Sequence, residues 1–426
     1  MTNEDRESLF YANEADIDVE TNIIGTYYIK SSKLSTKEAA EQIAMEESIG
    51  TWTDITTETE YVQRLAAKAF SYSDKKEGIV KVAFPLELFD PEIGGIPNLL
   101  SIMAGNLFGL TGLDRVKLLD IDLPKDYVQS YPGPQFGIEG IRKLVGTTKN
   151  RRPHVGTIIK PKVGLTPIDT AEVAYEAASG GLDLIKDDET LTSQKFCPFE
   201  ERLVHVMEKL DLVKEETDKT VLYAVNISAT NDKLLTLADF ARSNGANCLM
   251  IDILTTGFGA VQILAQNEIK LPLHIHRTMH GALTEGKHGV SMMVLAKLTR
   301  LVGGDQLHTG TAAGKMGLAE ELPEIQRINN FLRADWFGLK PILPVASGGI
   351  HPAIVPIKVK NLGTDLVIQA GGGVHGHPQG TRAGAMAMVQ AVEAAFQNIS
   401  PEIYAKTHPE LAAALNKWKD KYSKKD

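Results

Sequence analysis

The sequence predicts an α/β protein in which a C-terminal (β/α)8 barrel follows a smaller α+β, ferredoxin-like N-terminal domain. From about residue 150, short apolar strands alternate with amphipathic helices, and eight such units close a parallel barrel. Before that point the order is strand, helix, two strands, helix, strand, which is typical of an open sheet with helices on one face. We predict an N-terminal domain over 1–135 and a barrel domain over 136–426.

Composition restricts the class of protein. The 426 residues carry 45 Lys and Arg against 54 Asp and Glu, and this net charge of −9 argues against a nucleic-acid partner. The only cysteines, Cys197 and Cys248, argue against a disulfide framework and fit a reducing cytoplasm. No apolar run reaches the roughly 18 residues of a membrane span. We therefore expect a cytoplasmic protein with no membrane partner.

The N-terminal elements are predicted from β-branched and aromatic clusters for strands and from helical spacing for helices. Ser35 opens a segment that resembles a helix cap. The predicted strands are 22–30, 62–71, 78–89 and 116–123, and the predicted helices are 35–45 and 96–108.

The barrel elements are predicted in the same way. The eight strands are 155–159, 182–186, 221–227, 248–254, 271–276, 306–308, 342–346 and 366–370. The helices include 171–178, 200–216, 234–242, 290–301, 319–332 and 381–396, with a last helix at 411–422. An open doubly wound sheet is the alternative, but the Gly-x-Gly-x-x-Gly turn that usually follows its first strand is missing.

Chemically capable residues follow the ends of these strands. Catalytic groups of a barrel lie at the C-terminal ends of its strands, so these residues are expected to share one rim. In strand order they are Lys160 and Lys162; Lys186, Asp188 and Glu189; His276 and Arg277; His308; Ser347, Gly348 and Gly349; and Gly371 and Gly372.

Asp188 and Glu189 are hard oxygen ligands that suit Mg2+. Strand alternation places Lys186 on the same side as Asp188. Lys186 either forms a salt bridge with these carboxylates or, as a neutral amine, reacts with CO2 to give a carbamate that is a third oxygen ligand. The residues alone leave both interpretations open.

The glycine turns after strands seven and eight lie where barrels usually bind phosphate, although an ordinary tight turn is the alternative. Arg277 and Lys315 supply cations for phosphate or carboxylate. His276 and His308 are either structural or catalytic. Together the set predicts an anionic, twice-phosphorylated substrate and proton abstraction beside a carbonyl.

At these residues the sequence resembles the large subunit of the ribulose-1,5-bisphosphate carboxylase/oxygenase (Rubisco) family, most closely the archaeal form III group. The resemblance runs from about residue 20 to 400. It is carried by GGLDLIKDDE at 180–189, IKPK at 159–162, HIHRTMH at 274–280 and ASGG at 346–349. It implies Mg2+-dependent enolisation of ribulose 1,5-bisphosphate, addition of CO2 or O2, and, after CO2 addition, cleavage to two 3-phosphoglycerates.

The resemblance also implies residue roles. Lys186, as the carbamate formed with CO2, holds Mg2+ with Asp188 and Glu189, and the carbamate takes the C3 proton. Lys160 assists enolisation and protonates the product. The other implied roles are support by Lys162, closure over the site by Lys315, and substrate contacts from His276, Arg277, His308, Ser347, Gly348, Gly349, Gly371 and Gly372.

The resemblance further implies that a neighbouring subunit completes the site through Glu46, Thr51, Trp52 and Asn106, with Glu46 paired to Lys315. The partners it implies are therefore a homodimer or a ring of dimers, with no small subunit. By themselves, Trp52 also fits a core aromatic and Asn106 a helix cap.

The sequence departs from the family in the lysine loop, where Ala312 and Ala313 replace valines and Gly317 replaces a glutamate. Ile158 stands where many relatives have threonine. We expect effects on loop closure and on CO2/O2 discrimination. Two other functions stay open: an enolase or isomerase of the Rubisco-like type acting on a related sugar phosphate, and a silent scaffold. The source of the bisphosphate, nucleotide (AMP) salvage or a kinase cycle, also stays open.

Overall fold

The computed structural model describes residues 9–50, 53, 55–267, 269–311 and 322–422, with side chains up to residue 418. The chain divides into two compact units. The first contains residues 1–131 and 279–301, and the second contains residues 132–278 and 302–426. The second holds a closed eight-stranded parallel barrel and the first a five-stranded mixed sheet, so the predicted fold class is confirmed.

The strands are, in chain order, β1 Asn22–Lys30, β2 Lys68–Ser71, β3 Glu77–Pro85, β4 Arg115–Asp122, β5 His154–Ile158, β6 Leu184–Lys186, β7 Leu222–Asn226, β8 Cys248–Asp252, β9 Leu273–His276, β10 His288–Val290, β11 Gln306–His308, β12 Leu343–Ser347 and β13 Val367–Gln369. All eight predicted barrel strands are present as β5 to β9 and β11 to β13.

The helices are α1 Thr36–Glu46, α2 Glu60–Arg64, α3 Gly95–Met103, α4 Lys125–Gln129, α5 Gly137–Val145, α6 Pro167–Ser179, α7 Phe199–Thr217, α8 Asn231–Ser243, α9 Ile253–Thr256, α10 Phe258–Gln266, α11 His280–Thr284, α12 Met292–Val302, α13 Leu322–Arg333, α14 Val355–Leu362, α15 Gly372–His375, α16 Gly380–Phe396, α17 Pro401–Tyr404 and α18 Pro409–Tyr422. Short 3-10 turns span Glu14–Asp16, Leu86–Leu88, Asn106–Gly109 and Pro352–Ile354. None of the described helices is long and apolar enough to cross a membrane.

The sheet of the first unit has the order β10–β4–β1–β3–β2, with β1 antiparallel to both β3 and β4. The predicted cap of α1 is present as a capping box. The side chain of Ser35 accepts the backbone N–H of Glu38, and the side chain of Glu38 accepts the backbone N–H of Ser35. This reciprocal pairing satisfies two N–H groups that an uncapped helix end would leave open.

Three predictions for segments of the first unit were wrong in detail. The predicted strand 62–71 begins as helix α2, because Thr59 caps the first turn by accepting the N–H of Val62. The predicted helix 96–108 stops at Met103, and the chain turns at Gly105 before a 3-10 turn. The predicted helix 290–301 starts at Met292, because β10 pairs in parallel with β4 just before it.

The barrel has the closed order β11–β12–β13–β5–β6–β7–β8–β9. One layer of its interior is apolar and is continued by α5, whose Ile138, Ile141 and Val145 pack in the same core cluster. The barrel residues of that cluster are Leu184, Leu222, Ala224, Cys248, Met250, Leu343, Val345 and Val367. The barrel is therefore a packed core whose polar groups gather at the strand ends.

Buried carboxylates immediately precede two strands at the opposite, N-terminal rim. Asp183, before β6, forms ion pairs with Arg152 at 2.6 Å and Lys219 at 3.0 Å. Asp305, before β11, accepts backbone N–H groups, including those of Gly137 at 2.8 Å and Leu273 at 2.9 Å. These contacts hold the strand ends at this rim and so serve stability, while the other rim is available for chemistry.

Candidate active site

Lys186 is the last residue of β6, and its side chain is fully buried. Its Nζ donates to the backbone carbonyl of Asp187 at 2.6 Å and lies 3.5 Å from Oε2 of Glu189. It also lies 3.2 Å from Sδ of Met250 on β8. The amine is thus held between barrel interior and rim, with a carboxylate on the rim side.

Burial lowers the pKa of Lys186, and the nearby carboxylates of Glu189 and Asp188 oppose that shift only in part. Desolvation disfavours the charged ammonium form, so a larger share of the side chain is the neutral amine. A neutral amine is the form that reacts with an electrophile. The site is therefore suited to carbamate formation as well as to an ion pair.

Asp188 is also buried and connects the ends of two adjacent strands. Its Oδ2 accepts from Nζ of Lys160, which follows β5, at 2.7 Å, and its Oδ1 accepts from Oγ1 of Thr190 at 2.8 Å. Burial by itself would raise the pKa of Asp188, but the hydrogen bonds from Lys160 and Thr190 outweigh it and lower the pKa. Asp188 is therefore held as a carboxylate. Lys162, on the loop after Lys160, is solvent-exposed.

Asp187 lies between the predicted metal residues but turns to other partners. Its carboxylate accepts from Nε of Arg202 at 3.1 Å, from the hydroxyl of Tyr223 at 2.6 Å and from the N–H of Asn226 at 2.9 Å. All of these side chains are buried. Asp187 therefore fixes the chain so that Asp188 is free to face the rim.

Asn226, at the end of β7, holds the same segment from a second side. Its Nδ2 donates to the carbonyls of Leu191 at 2.9 Å, Glu189 at 3.3 Å and Asp188 at 3.4 Å. Sequence analysis missed both Asp187 and Asn226 as contributors to the site. Asn226 was detectable, because it is a polar residue at a predicted strand end.

The predicted His276 and His308 lie together, with ring centroids 4.7 Å apart. His308 hydrogen-bonds through Nδ1 to Oγ of Ser347 at 2.8 Å, and through Nε2 to Nε2 of His274 at 2.8 Å. Nδ1 of His274 in turn pairs with Oε1 of Gln306 at 2.6 Å. His274, which was not among the predicted site residues, therefore connects the site to the barrel interior.

These imidazoles are held neutral. Burial lowers the pKa of His308 far below its usual range, and the neighbouring His276 adds to this. Burial and then Lys186 lower the pKa of His276, and burial lowers that of His274 to about 3. Neutral imidazoles both donate and accept hydrogen bonds, which suits contact with hydroxyl groups. Arg277, which follows His276, is buried.

Asp252 at the end of β8 also belongs to this group. Its Oδ1 lies 3.4 Å from Nδ1 of His276 and accepts the N–H of Thr278 at 2.8 Å. On the other side of the ring, Nε2 of His276 lies 3.7 Å from Oε2 of Glu189. His276 therefore joins the carboxylate cluster to the histidine chain.

The two glycine turns are shaped by close approach of backbone. Gly348 and Gly349 both have positive φ, at 104° and 70°. A Cβ at Gly371 would come within 3.1 Å of Cε of Lys160, while one at Gly372 would meet open space. The positive φ angles at Gly348 and Gly349 favour glycine at both positions. The lack of a side chain at Gly371 lets the second turn lie against Lys160, a predicted catalytic residue.

A polar cavity of about 510 Å3 opens beside Glu189. Its lining is rich in hydroxyl groups and includes Thr192, Ser228, Thr230, Asn231, Thr255 and Thr256. No group of three His, Cys, Asp or Glu side chains suited to a metal occurs in the described parts of the chain. Asp188 and Glu189 are the predicted metal residues that lie beside Lys186 at this rim.

The first unit brings together two of the four residues expected to serve a neighbouring site. Nδ2 of Asn106 donates to Oε1 of Glu46 at 3.4 Å. The adjacent Glu47 accepts the N–H groups of Leu107 at 2.5 Å and Gly105 at 3.3 Å. Thr51 and Trp52, and also Lys315 and the altered loop positions 312, 313 and 317, lie outside the described residues.

Comparison with known proteins identifies the family. Residues 137–418 match the catalytic domain of the ribulose bisphosphate carboxylase large chain, and residues 11–127 match the N-terminal domain of the same chain. The chain belongs to the ribulose bisphosphate carboxylase large chain family. The family predicted from the sequence is thereby confirmed.

Relatives in this family align over nearly their whole length. "Ribulose bisphosphate carboxylase" of Pyrococcus furiosus is 44% identical over 416 residues, which cover 96% of this chain and 98% of that one. The protein of the same name from Methanocaldococcus jannaschii is 43% identical, over 94% of this chain and 97% of that one.

Solved Rubisco structures have the same fold. Octameric Rubisco of Pyrococcus horikoshii superposes with a TM-score of 0.90 at 41% identity, covering 97% of this chain and 98% of that one. Dimeric archaeal Rubisco of Hyperthermus butylicus superposes with a TM-score of 0.88 at 38% identity, covering 97% and 99%.

Proposed function

We propose that this protein is a ribulose-1,5-bisphosphate carboxylase/oxygenase, a carboxy-lyase that converts the bisphosphate and CO2 into two molecules of 3-phosphoglycerate. The observation that carries the proposal is the cluster of Lys186, Asp188, Glu189 and Lys160 at adjacent strand ends. The proposal is further supported because the chain matches both domains of the family over nearly its full length.

The cluster fits Mg2+ with a carbamylated lysine. Asp188 and Glu189 supply two hard oxygen ligands, and the buried amine of Lys186 lies 3.5 Å from one of them. Reaction of the neutral amine with CO2 forms an N–C bond, releases one proton and leaves an anionic oxygen ligand. When bound, Mg2+ polarises the substrate carbonyl and so acidifies the neighbouring C–H.

The roles of the remaining side chains follow from their chemistry. Lys160 lies at the rim, assists enolisation and protonates the product, with Lys162 in support. His276 and His308 remain neutral and bind substrate hydroxyls, and Ser347 does so beside His308.

Phosphate binding is assigned to the cation Arg277 and to the glycine turns. Backbone N–H groups at Gly348, Gly349, Gly371 and Gly372 are suited to an anion, because glycine lets the backbone approach it closely. Lys315 closes over the substrate and stabilises the new carboxylate.

The catalytic unit is proposed to be a homodimer or a ring of dimers without a small subunit. In this proposal the N-terminal domain, residues 1–135, completes the site of a neighbouring barrel domain, 136–426, through Glu46, Thr51, Trp52 and Asn106. The pairing of Asn106 with Glu46 supports their acting together. The related Rubiscos described as octameric and dimeric are consistent with such assembly.

We further propose a cytoplasmic, form III enzyme, with oxygenation as a side reaction of the same enediolate. The resemblance to archaeal relatives supports this assignment. An enolase or isomerase acting on a related sugar phosphate has no specific observation in its favour.

Anaerobic carboxylation tests the function. The protein is incubated with Mg2+ and bicarbonate, given ribulose 1,5-bisphosphate, and 3-phosphoglycerate is counted against substrate consumed. We expect two phosphoglycerates per bisphosphate. Exchange of the C3 proton with solvent but no phosphoglycerate would contradict the carboxylase and identify an enolase.

A further inference from the structure

The C-terminal helix α18 packs on the segments that follow the two glycine turns of the proposed phosphate site. It packs on the 3-10 turn Pro352–Ile354, which follows the first glycine turn, and on α16, which follows the second. Ala414 and Trp418 of the helix share an apolar cluster with Ala387 of α16. The functional roles given above use none of these residues.

Trp418 connects the helix to the turn after β12. Its ring stacks on His351 with centroids 5.4 Å apart and planes 15° apart, and both side chains are at least nine-tenths buried. His351 and Ile350 in turn pack on the other turn: a Cβ at Gly373 would lie 2.3 Å from the carbonyl of Ile350. His351 therefore contacts both the helix and the second glycine turn.

Lys417 connects the helix to the turn after β13, where its Nζ donates to the carbonyl of Gly376. His377 of the same turn donates from Nε2 to the carbonyl of Glu410, the second residue of the helix, at 2.9 Å. The start of the helix is fixed to α16, because Gln390 donates to the Glu410 carboxylate and accepts the N–H of Leu411.

We propose that α18 is a brace for the two phosphate-binding turns and that Trp418 and Lys417 are positioning residues for the substrate. This inference rests on the proposed function, because it assigns phosphate to those turns. Backbone N–H groups bind an anion tightly only when they are ordered before it arrives, since ordering on binding reduces affinity. The brace supplies that order from outside the site, so it acts on substrate affinity and not on the chemical steps.

The test compares Trp418→Leu and Lys417→Met with the conservative Trp418→Phe and Lys417→Arg. Asn416→Ala is the matched control, because Asn416 is exposed on the same helix. Steady-state carboxylation gives kcat and KM for ribulose 1,5-bisphosphate. Calorimetric titration of the full oligomer with the bisphosphate gives Kd without turnover. Thermal unfolding reports whether each variant is folded.

We expect KM and Kd to rise about 3- to 10-fold in Trp418→Leu and Lys417→Met, with kcat within about twofold of wild type. The conservative variants recover most of the affinity, and Asn416→Ala is unchanged. Lys417 is exposed, so Lys417→Met keeps the test valid where Trp418→Leu fails to fold.

Unchanged KM and Kd in folded Lys417→Met and Trp418→Leu would overturn the brace. The brace would also be overturned if these variants lost kcat and the conservative variants recovered kcat in proportion to their midpoint of thermal unfolding. That result would indicate a helix that only stabilises the fold. A wild-type protein that binds the bisphosphate but does not carboxylate it contradicts the proposed function, and the Kd ratios still decide the brace.

Discussion

Lys186 combines two properties that an ordinary surface lysine lacks: complete burial and a carboxylate on the exposed side of its amine. Burial favours the neutral amine of Lys186. The carboxylates of Glu189 and Asp188 favour a cation close to them, whether the ammonium group or a metal ion. We expect Lys186→Ala to lower carboxylation by more than about 100-fold, because it removes a proposed ligand of Mg2+, and loss of a ligand costs more than loss of a group that only supports one. Steady-state carboxylation with saturating Mg2+ and bicarbonate checks this.

Lys214→Ala, an exposed lysine at the end of α7, is the matched control and should be fully active. Carboxylation retained by Lys186→Ala would contradict the carbamate assignment and favour the plain salt bridge.

Lys315 is predicted to act after enolisation. We expect Lys315→Ala to retain exchange of the C3 proton with solvent while losing CO2 addition, because its charge is needed only for the new carboxylate. Parallel measurements of tritium release from C3 and of phosphoglycerate formation check this. Equal loss in both assays would count against the loop role.

Residue-level prediction from the sequence succeeded where strand geometry decides side-chain position. Lys186, His276 and His308 end strands, so alternation and the closed barrel were enough to bring them together. It failed for Asp187, since alternation stops where the strand stops, and its side chain follows Arg202 and Tyr223 from other elements. Such partners depend on tertiary packing that no local pattern encodes.

At the scale of elements, the N-terminal rim of the barrel depends on the carboxylate before β6. Burial alone would raise the pKa of Asp183, but the ion pairs with Arg152 and Lys219 outweigh it and hold the pKa well below its usual value. The stabilisation is therefore present above about pH 4, the usual pKa of aspartate, and is lost as pH falls towards the folded-state value.

We expect Asp183→Asn to reduce the free energy of unfolding by about 3–5 kcal/mol at pH 7, because two cations lose a buried partner. The difference from wild type should shrink as the pH falls below 4. Urea unfolding at several pH values checks this, with Asp239→Asn as the control in an exposed pair with Arg242. A difference independent of pH would contradict the ion-pair explanation.

Helices and strands that are specified by their own residue pattern were predicted well. Those that form only by pairing with a strand distant in the sequence were not. Strand β1 was predicted from residue 22 to residue 30, as observed, because its β-branched and aromatic residues are typical of a strand. The short strand β10 was missed, because three residues carry little pattern and its partner β4 lies far away in the sequence. Parallel pairing with a strand that is remote in the sequence is determined by the tertiary structure.

At the scale of the whole molecule, the proposal requires that each active site combine residues of two subunits. We expect Lys186→Ala and Asn106→Ala each to be inactive as homodimers, and a co-expressed or reassembled equal mixture to recover activity. Half of the dimers are then mixed, and one of their two sites is intact, so about a quarter of wild-type activity should return.

Titrating the ratio of the two variants checks this, with recovery largest at equal amounts. A mixture no more active than its parents would contradict a shared site. A mixture of Lys186→Ala with Asp188→Ala is the control, because both changes lie in the same barrel and no assortment restores a site.

The short strand β10 has a consequence for how the chain must be made. The N-terminal sheet places β10 beside β4, yet β10 is synthesised about 170 residues after β4 ends. At about 5–20 residues per second on the ribosome, the edge of β4 waits roughly ten to thirty seconds for its last neighbour. The first domain to emerge is thus finished only after much of the second has been made, and its exposed edge is where nascent chains would pair wrongly. An N-terminal domain expressed alone, without the residues of β10, would leave the edge of β4 permanently unpaired.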